Sequence, residues 1–469
     1  MKVLFIQNFL QPYYGVMSIS AVLKKEGHET EVLIVDKEED IPKTVKESAP
    51  DIIGFSCTTG MYPIALKQSE KIKENFAIPI IFGGVHPTIC PEIIAEKSID
   101  IICRGEGEYA LLELLNNMEK GQDTSKIKNL WVKNNGETYK NDMRNLIENL
   151  DEPPFPDRDI YYSKYPYLKN KSTKVFFLGR GCPYKCSFCI NKTYINLYKG
   201  KGKYIRRRSI DKIIEEILDV KKRYGLKAIY FNDDTFTLNK EWIFRFLEEY
   251  KKKAYIPFTC GSRASLLTEE MVQKLKDANC NCIEMGVETG NEKIRKELLD
   301  KGETNQSLLS ASKLIKKSKI NLKTSNMMCL PGETVELALE TIKFNGKLKA
   351  DFMNCSLLQP YPLLGITNYA IENGFLDTDF DYNTLGRLSY FETPIKLKDK
   401  KRIMNLQKFF YLGVWFPRTI RVIKLLSKLP PNPIFTAIFK SMYVYSYARY
   451  HQLNIIDVLK LAIHSRKLT

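Results

Sequence analysis

The residues best equipped for chemistry are three cysteines in one short run, GRGCPYKCSFC: Cys182, Cys186 and Cys189, separated by three and then two residues. Thiolates are soft ligands suited to zinc or to iron–sulfur clusters. A closed structural zinc site takes four ligands. No CxxC or HxxxH nearby supplies the fourth, and His86 is too isolated in the sequence to nominate. A loop of three thiolates instead fits a [4Fe–4S] cluster with one iron left open, where a cofactor can chelate and receive an electron. A three-cysteine zinc loop and a chance grouping are the plainer alternatives. The other eight of the 11 cysteines are scattered, which is not the pattern of a disulfide framework and points to a reducing, cytoplasmic setting.

The elements that must carry this run read as α/β throughout. Lys174–Leu178 is apolar and β-rich and leads straight into the cysteines. Strand-like stretches then recur at Ala228–Phe231, Phe258–Cys260, Cys282–Val287, Leu322–Cys329 and Phe352–Leu358. Helical periodicity lies between them at Ile210–Tyr224, Lys240–Lys251, Thr268–Ala278, Ser307–Ser318 and Val335–Leu348. Six βα units imply a partial (β/α)6 barrel over 171–390. Upstream, residues 1–126 alternate five strands (Val3–Gln7, Glu29–Val35, Asp51–Ser56, Pro79–Gly83 and Ile99–Cys103) with helices. That pattern predicts a doubly wound, Rossmann-like parallel sheet whose ligands sit beyond the strand ends. Those ends hold Asn8–Gly15, Ser56–Gly60, Gly83-Gly84 and Arg104–Glu108. Between the two units, 127–170 reads as a hairpin turning at Asn134-Asn135-Gly136, followed by the stiff connector Glu152-Pro153-Pro154-Phe155-Pro156. From 391 to 469 the chain turns helical, aromatic and basic, broken at Pro430-Pro431-Asn432-Pro433.

With strand and loop in place, the cysteine run resembles that of the radical S-adenosylmethionine superfamily, CxxxCxxC at the end of a first barrel strand, and the likeness extends over Val175–Ile366. Phe188 matches the aromatic that in this superfamily lies against the adenine. Asn232-Asp233-Asp234 fills the place of the motif that holds the methionine amino group. Gly286-Val287-Glu288-Thr289-Gly290 is similar to the GxE turn, whose glutamate lies by the cofactor. Arg263 matches a recurrent arginine that can pair with the cofactor carboxylate. Leu330-Pro331-Gly332-Glu333-Thr334 resembles the GLPGET turn, with Cys329 in place of its first glycine. Read without the resemblance, Asp233 and Asp234 fit an N-cap pair, and Glu288 a buried salt-bridge partner. The resemblance implies cleavage of S-adenosylmethionine to methionine and a 5′-deoxyadenosyl radical that abstracts a substrate hydrogen.

The first unit resembles the cobalamin-binding domain joined to one branch of that superfamily, through PDIIGFSCTT, IIFGGVHPT and DIICRGEGEYALLELL. Ser56, Thr58, Gly83, Gly84 and Thr88 are the expected cobalamin contacts. The DxHxxG signature is absent: the corresponding loop carries Leu10, Pro12 and Gly15, so no histidine from it would bind cobalt. The same glycines could instead only close βα turns in a domain without ligand, and His86 beside them reads as a helix cap or surface group.

The net charge is +17, and 391–469 holds 15 Lys/Arg against 3 Asp/Glu, +12 of that total. Arg418, Arg421, Lys424 and Lys428 recur as on one helical face, interleaved with aromatics whose expected use is core packing. A solvated basic face and contact with an anionic membrane or substrate are both open. No stretch reaches the ~18 uncharged apolar residues of a membrane span, and MKVLFIQNFLQPYYG lacks the long apolar run and cleavage site of a signal peptide. No RNA-binding module is evident, so no nucleic-acid partner is expected. The resemblance implies an enzyme that methylates an unactivated carbon of a small molecule or lipid, using two S-adenosylmethionine per methyl and electrons from a ferredoxin or flavodoxin. Radical cyclisation, oxidation or rearrangement without methyl transfer, and a non-catalytic iron–sulfur protein, are the alternatives.

Overall fold

Side chains along Val3–Ile6 point alternately to two apolar faces, Val3 and Phe5 to one and Leu4 and Ile6 to the other. A strand buried on both sides belongs in a parallel sheet covered by helices. The structure, a computed structural model, describes residues 1–35, 40–385 and 390–451. Its first sheet comprises β1 (Lys2–Gln7), β2 (Glu29–Ile34), β3 (Ile52–Ser56), β4 (Ile80–Gly83), β5 (Ile101–Cys103), β6 (Leu130–Asn134) and β7 (Glu137–Lys140). The order is β2-β1-β3-β4-β5-β6-β7, and the first five strands run parallel. The winding reverses between β1 and β3, which places the ligand crevice at their C-terminal ends. Helices α1 (Tyr14–Lys25), α2 (Ile41–Ser48), α3 (Tyr62–Lys73), α4 (Val85–Ile89) and α5 (Glu108–Glu119) connect the strands. The hairpin β6–β7 turns at Asn135 and Gly136, with φ of +50° and +79°, the positive pair that a two-residue turn needs. The sequence groups this hairpin with the connector. In the structure it extends the first sheet, because Leu130–Val132 pairs antiparallel with β5.

Short helices α6 (Asp159–Tyr162) and α7 (Pro166–Lys169) lead to β8 (Thr173–Phe176). After β8 come a two-residue strand β9 (Gly179–Arg180), α8 (Ile190–Leu197) and β10 (Arg206–Arg207). The second sheet adds β11 (Ala228–Phe231), β12 (Phe258–Ser262), β13 (Cys280–Glu288), β14 (Asn321–Met328) and β15 (Phe352–Leu357). Its order β8-β11-β12-β13-β14-β15 is parallel throughout. The intervening helices are α9 (Ile210–Tyr224), α10 (Lys240–Lys253), α11 (Glu269–Asp277), α12 (Glu292–Glu297), α13 (Asn305–Lys317), α14 (Val335–Leu348) and α15 (Gly365–Glu372). Among the described residues β8 and β15 do not pair, so the sheet is a partial barrel. Its core joins strand residues such as Phe231, Ile283 and Met285 to Ile217, Phe246 and Ile315 of the helices.

The C-terminal region forms α16 (Lys400–Lys408), α17 (Phe410–Trp415), α18 (Ile420–Leu426) and α19 (Pro433–His451). Phe409, Phe410, Tyr411, Phe435 and Phe439 pack against Leu339, Ile342 and Cys355 of the barrel, the core use expected of these aromatics. Residues 452–469 of this basic region lie outside the described residues. No helix among the described residues is long and apolar enough to cross a membrane.

Candidate functional site at the joint of two sheets

The cysteine loop is pinned at its base. β9 and β10 pair antiparallel, Arg180 opposite Arg206, and so close residues 181–205 into one excursion from the barrel. Gly179 and Gly181 are required there: a Cβ on the first would stand 2.2 Å from Arg206 O, and one on the second 2.5 Å from Tyr204 O. Further along, Ser187 anchors the loop to the barrel, its N–H donating to Leu299 O at 2.9 Å and its Oγ to Leu298 O at 2.6 Å. Cys189 N–H donates to Cys186 O at 3.0 Å, and Cys189 is the N-cap of α8. Cys182 and Cys186 are buried and Cys189 half-buried. Among the described residues no three His, Cys, Asp or Glu side chains converge on a single metal ion. Three thiols carried on one excursion supply soft ligands for three corners of a cubane.

The residues expected around S-adenosylmethionine are tied to this loop by direct contacts. Arg263 Nη1 donates to Cys186 Sγ at 3.5 Å, and its guanidinium lies 3.8 Å from the centre of the Tyr184 ring. Its Nη2 is 3.9 Å from Glu303, whose carboxylate is 3.4 Å from Lys301 Nζ; Lys301 is in turn 3.0 Å from Glu288. Glu288 is thus the buried salt-bridge partner that its bare sequence allowed. It sits at φ +65°, on a register shift at the end of β13. Gly286 makes room for the pair, since a Cβ there would stand 2.3 Å from Glu288 Oε1 and 2.6 Å from Lys301 Nζ. Burial alone would lower the Lys301 ammonium pKa, but Glu288 and Glu303 outweigh it and hold it above its ordinary value. Lys301 and Glu303 were not singled out in the sequence.

Asp233 and Asp234 part company. Asp233 accepts from Leu178 N–H at 3.1 Å and from Arg207 Nη1 at 3.3 Å. Burial pushes its carboxyl up to about 6, against Arg207 and the backbone donors. Its oxygens are spent on the strand that leads into the cysteine loop. Asp234, with Asn232, lines the cavity described below and bonds Asn191 and the Gly181 N–H. Asn191 also donates to Cys189 Sγ at 3.5 Å and accepts from Tyr204 Oη at 2.5 Å. Phe188 packs beside Leu299, Leu330 and Ile366, which makes an apolar wall of the loop and the turn at 330–334. Cys329, at the position of that turn's first glycine, adopts φ +61°, a left-handed conformation that L side chains seldom hold.

A cavity of about 480 Å³ opens between the first sheet and the cysteine loop. One wall is the crevice of the first sheet, with Ser56, Gly83, Gly84 and Thr88; the other carries Arg180, Asn191, Tyr194, Tyr204 and Asp234. Gly84 has φ +97°, and a Cβ on it would meet Cys57 O at 2.9 Å. Thr88 Oγ1 ties two glycine turns together, donating to Gly84 O at 2.6 Å and accepting from Gly105 N–H at 2.9 Å. This bare-backbone cradle fits a bulky planar ligand. Thr58 stands outside it, exposed at the N-cap of a short turn at 59–61. No histidine is among the described residues lining the cavity. His86 is neither cap nor surface group: it is buried, its ring tilted against Tyr62 at 4.5 Å, with Nδ1 3.2 Å from Thr59 Oγ1 and its pKa lowered to about 4 by burial. At the start of α1, Tyr14 lines the cavity and packs 4.4 Å from Phe177.

The two walls are clasped by charge. Arg180 reaches Glu106 at 2.7 Å and Glu108 at 2.6 Å, and Arg206 reaches Glu106 at 2.9 Å. Burial would raise the Glu106 carboxyl, but Arg180 and Arg206 hold it below its ordinary value. Glu106 and Glu108 stand in the Arg104–Glu108 stretch already placed at a strand end. Their partners lie 72 to 100 residues away, and no local signal gives that pairing.

Comparison with known proteins agrees with this geometry. Residues 176–344 match the radical SAM superfamily and residues 9–115 the B12 binding domain. The chain is 33% identical to an uncharacterized methyltransferase of Pyrococcus horikoshii, covering 78% of this chain and 80% of that protein. It is 25% identical to the anaerobic magnesium-protoporphyrin IX monomethyl ester cyclase of Rubrivivax gelatinosus, over 86% of this chain and 74% of that one. The fold is shared with the cobalamin-dependent S-adenosylmethionine radical enzyme OxsB, solved with aqua-cobalamin and S-adenosylmethionine bound: TM-score 0.67, 20% identity, 99% of this chain and 75% of that chain. The chain belongs to the radical S-adenosylmethionine superfamily, in its branch with a B12-binding domain ahead of the barrel, and is an enzyme of [4Fe–4S] cluster, S-adenosylmethionine and cobalamin.

Proposed function

We propose that this enzyme methylates an unactivated carbon of a small-molecule or lipid substrate. The observation that carries the reading is one cavity walled by the glycine cradle of the first sheet and by Arg180, Asn191, Tyr194 and Tyr204 of the segment around the cysteines, the three cysteines themselves lying outside its lining. When bound, the cluster and S-adenosylmethionine supply a hydrogen-abstracting radical, and methylcobalamin supplies the carbon. Cys182, Cys186 and Cys189 would hold the cluster, with one iron left open for S-adenosylmethionine. Asp234, at the cavity wall, meets its ammonium group, while Asp233 fixes the backbone of the loop from behind. Arg263 serves its carboxylate with a charged donor. Glu288 is held in place by Lys301, and Phe188 walls the adenine side. Ser56, Gly83, Gly84 and Thr88 seat the corrinoid, with no histidine offered to cobalt. A ferredoxin or flavodoxin delivers the electron.

The relationship to a protein named a cyclase favours one second reading, ring formation without methyl transfer. Product mass separates the two. With methyl-deuterated S-adenosylmethionine, the first reading expects a product heavier by one labelled methyl group, and the second expects loss of hydrogens only. A reconstituted enzyme that retains no corrinoid ends the first reading. One that releases no 5′-deoxyadenosine under dithionite ends both.

A further inference from the structure

Five of the fifteen large apolar side chains exposed among the described residues fall within the nineteen positions 416–434: Phe416, Val422, Leu425, Leu429 and Ile434. Each is between 49% and 69% exposed. Ile423, on the opposite side of α18, is buried in the C-terminal core. The outward side is thus apolar by placement, not for want of a buried one. Arg418, Arg421, Lys424 and Lys428 are exposed among these side chains, and 416–434 contains no Asp or Glu. Among the described residues Lys424 pairs with Glu336 at 3.2 Å, open to solvent, which contributes little. Pro430, Pro431 and Pro433 stiffen the corner between α18 and α19, so Leu429 and Ile434 are displayed on either side of a rigid turn.

We propose that this ridge, residues 416–434, is a docking surface for an anionic lipid bilayer, with the apolar tips entering the headgroup–acyl boundary and the four basic side chains meeting lipid phosphates. A ridge that alternates exposed apolar side chains with an excess of positive charge matches both layers of such a surface. A second copy of the chain fits worse, since a two-fold contact sets the same four charges against themselves. A nucleic acid would meet the charges and leave the five apolar tips without a partner. The inference stands whether or not methyl transfer is the reaction.

The test is co-sedimentation of the full-length, cluster-reconstituted enzyme with phosphatidylcholine vesicles and with vesicles that also carry phosphatidylglycerol, at physiological salt. Binding is expected to the anionic vesicles and not to the neutral ones. Exchanging the four basic residues for Gln should lower the partition coefficient by about fivefold for each charge removed. The variant Val422→Ser/Leu425→Ser/Leu429→Ser/Ile434→Ser should also lose binding while keeping its iron–sulfur absorption. If that variant loses its cluster, the milder Leu425→Ser/Ile434→Ser is read instead. Equal binding to both vesicles, none to either, or full retention by the apolar variant overturns the proposal. So does a chain whose ridge is occupied in solution by a second copy or by nucleic acid.

Discussion

Lys301 is the sharpest place to perturb the barrel site, because one ammonium serves two carboxylates that water scarcely reaches. Its side chain is 7% exposed, with Glu288 at 10% and Glu303 at 1%. Lys301→Met keeps the volume and removes the charge, leaving two buried carboxylates with Arg263, 3.9 Å from Glu303, and the buried Arg295 as remaining cations. Removing one member of a buried ion pair costs about 3–5 kcal/mol. Glu288→Gln added to Lys301→Met removes one of the stranded charges, so part of the loss should return, with a coupling on the order of 2 kcal/mol. The pH dependence separates this from simple loss of packing. In the wild type the Lys301 pKa is raised on folding. Its contribution is therefore complete below the unfolded value of about 10.5 and disappears only as pH rises through the higher folded value. Between pH 6 and 9 that contribution is flat. In the methionine variant two buried carboxylates face each other without that ammonium, so its stability is expected to fall as pH rises over the same range. Urea unfolding of the apo-protein across this range measures both, and release of 5′-deoxyadenosine by loaded enzyme reports the displaced Glu288. A loss under about 1 kcal/mol, with no pH slope, would refute the idea that Lys301 holds the glutamates by charge.

Replacing Cys182, Cys186 or Cys189 singly with Ala should abolish cluster incorporation, read as iron per protein and visible absorption, and with it 5′-deoxyadenosine release. Gly84→Ala forces a Cβ to 2.9 Å from Cys57 O at φ +97°; it should cost about 1–3 kcal/mol and weaken corrinoid retention while iron loading stays intact. Glu333 is buried and its carboxyl is pushed up to about 8 by burial, in spite of the Leu330 and Cys329 backbone donors. Its folded pKa lies above the unfolded one, so the stability it gives is complete below about 4.5 and drains at roughly 1.4 kcal/mol per unit until pH passes about 8. Glu333→Gln should lack that slope in urea unfolding series, and an unchanged slope would place Glu333 outside this role.

Local chemistry was readable where neighbours in sequence are neighbours in space. The strand before the cysteines, the helix over Ile210–Tyr224 and the Asn-Gly hairpin are fixed by periodicity and turn residues, and the structure keeps them. The triad is legible because its three thiols lie on one loop. Three features were not, each for a physical reason. The hairpin's membership of the first sheet depends on backbone pairing with β5, which leaves no mark on side-chain type. The Glu106–Arg180 and Glu108–Arg180 pairs join residues more than 70 positions apart, and charge alone does not choose among 72 Lys/Arg. Lys301, in LDKGET, looks like any surface lysine until β13 brings Glu288 against it. His86 misled in the opposite direction, because a polar residue after two glycines suggests a loop surface, whereas Tyr62 covers it.

The clasp gives the pairing of domains its meaning. Arg180 stands two residues before Cys182, and both carboxylates it binds belong to the first unit, at the end of β5 and the start of α5. Ser18 Oγ of α1 also donates to Glu108, at 2.9 Å, and the Ile147 N–H to Glu106, at 2.8 Å. Glu106 and Glu108 therefore gather the first sheet, the connector and the base of the cysteine loop into one hydrogen-bonded knot beneath the cavity. Partly buried, charge-assisted bonds of this kind are directional, so they fix an orientation as well as a distance. A corrinoid seated on Gly84 and Thr88 and a cluster held from Cys182 onward would then face each other across a gap set by the protein, before either substrate or reductant arrives. A catalyst that must bring a methyl donor and a hydrogen-abstracting group to the same carbon gains most from such fixed geometry, since misplacement of either by an ångström forfeits orders of magnitude in rate. On this argument the acidic stretch after β5, whose Glu106 and Glu108 line the cavity, is a positioning element of the candidate site.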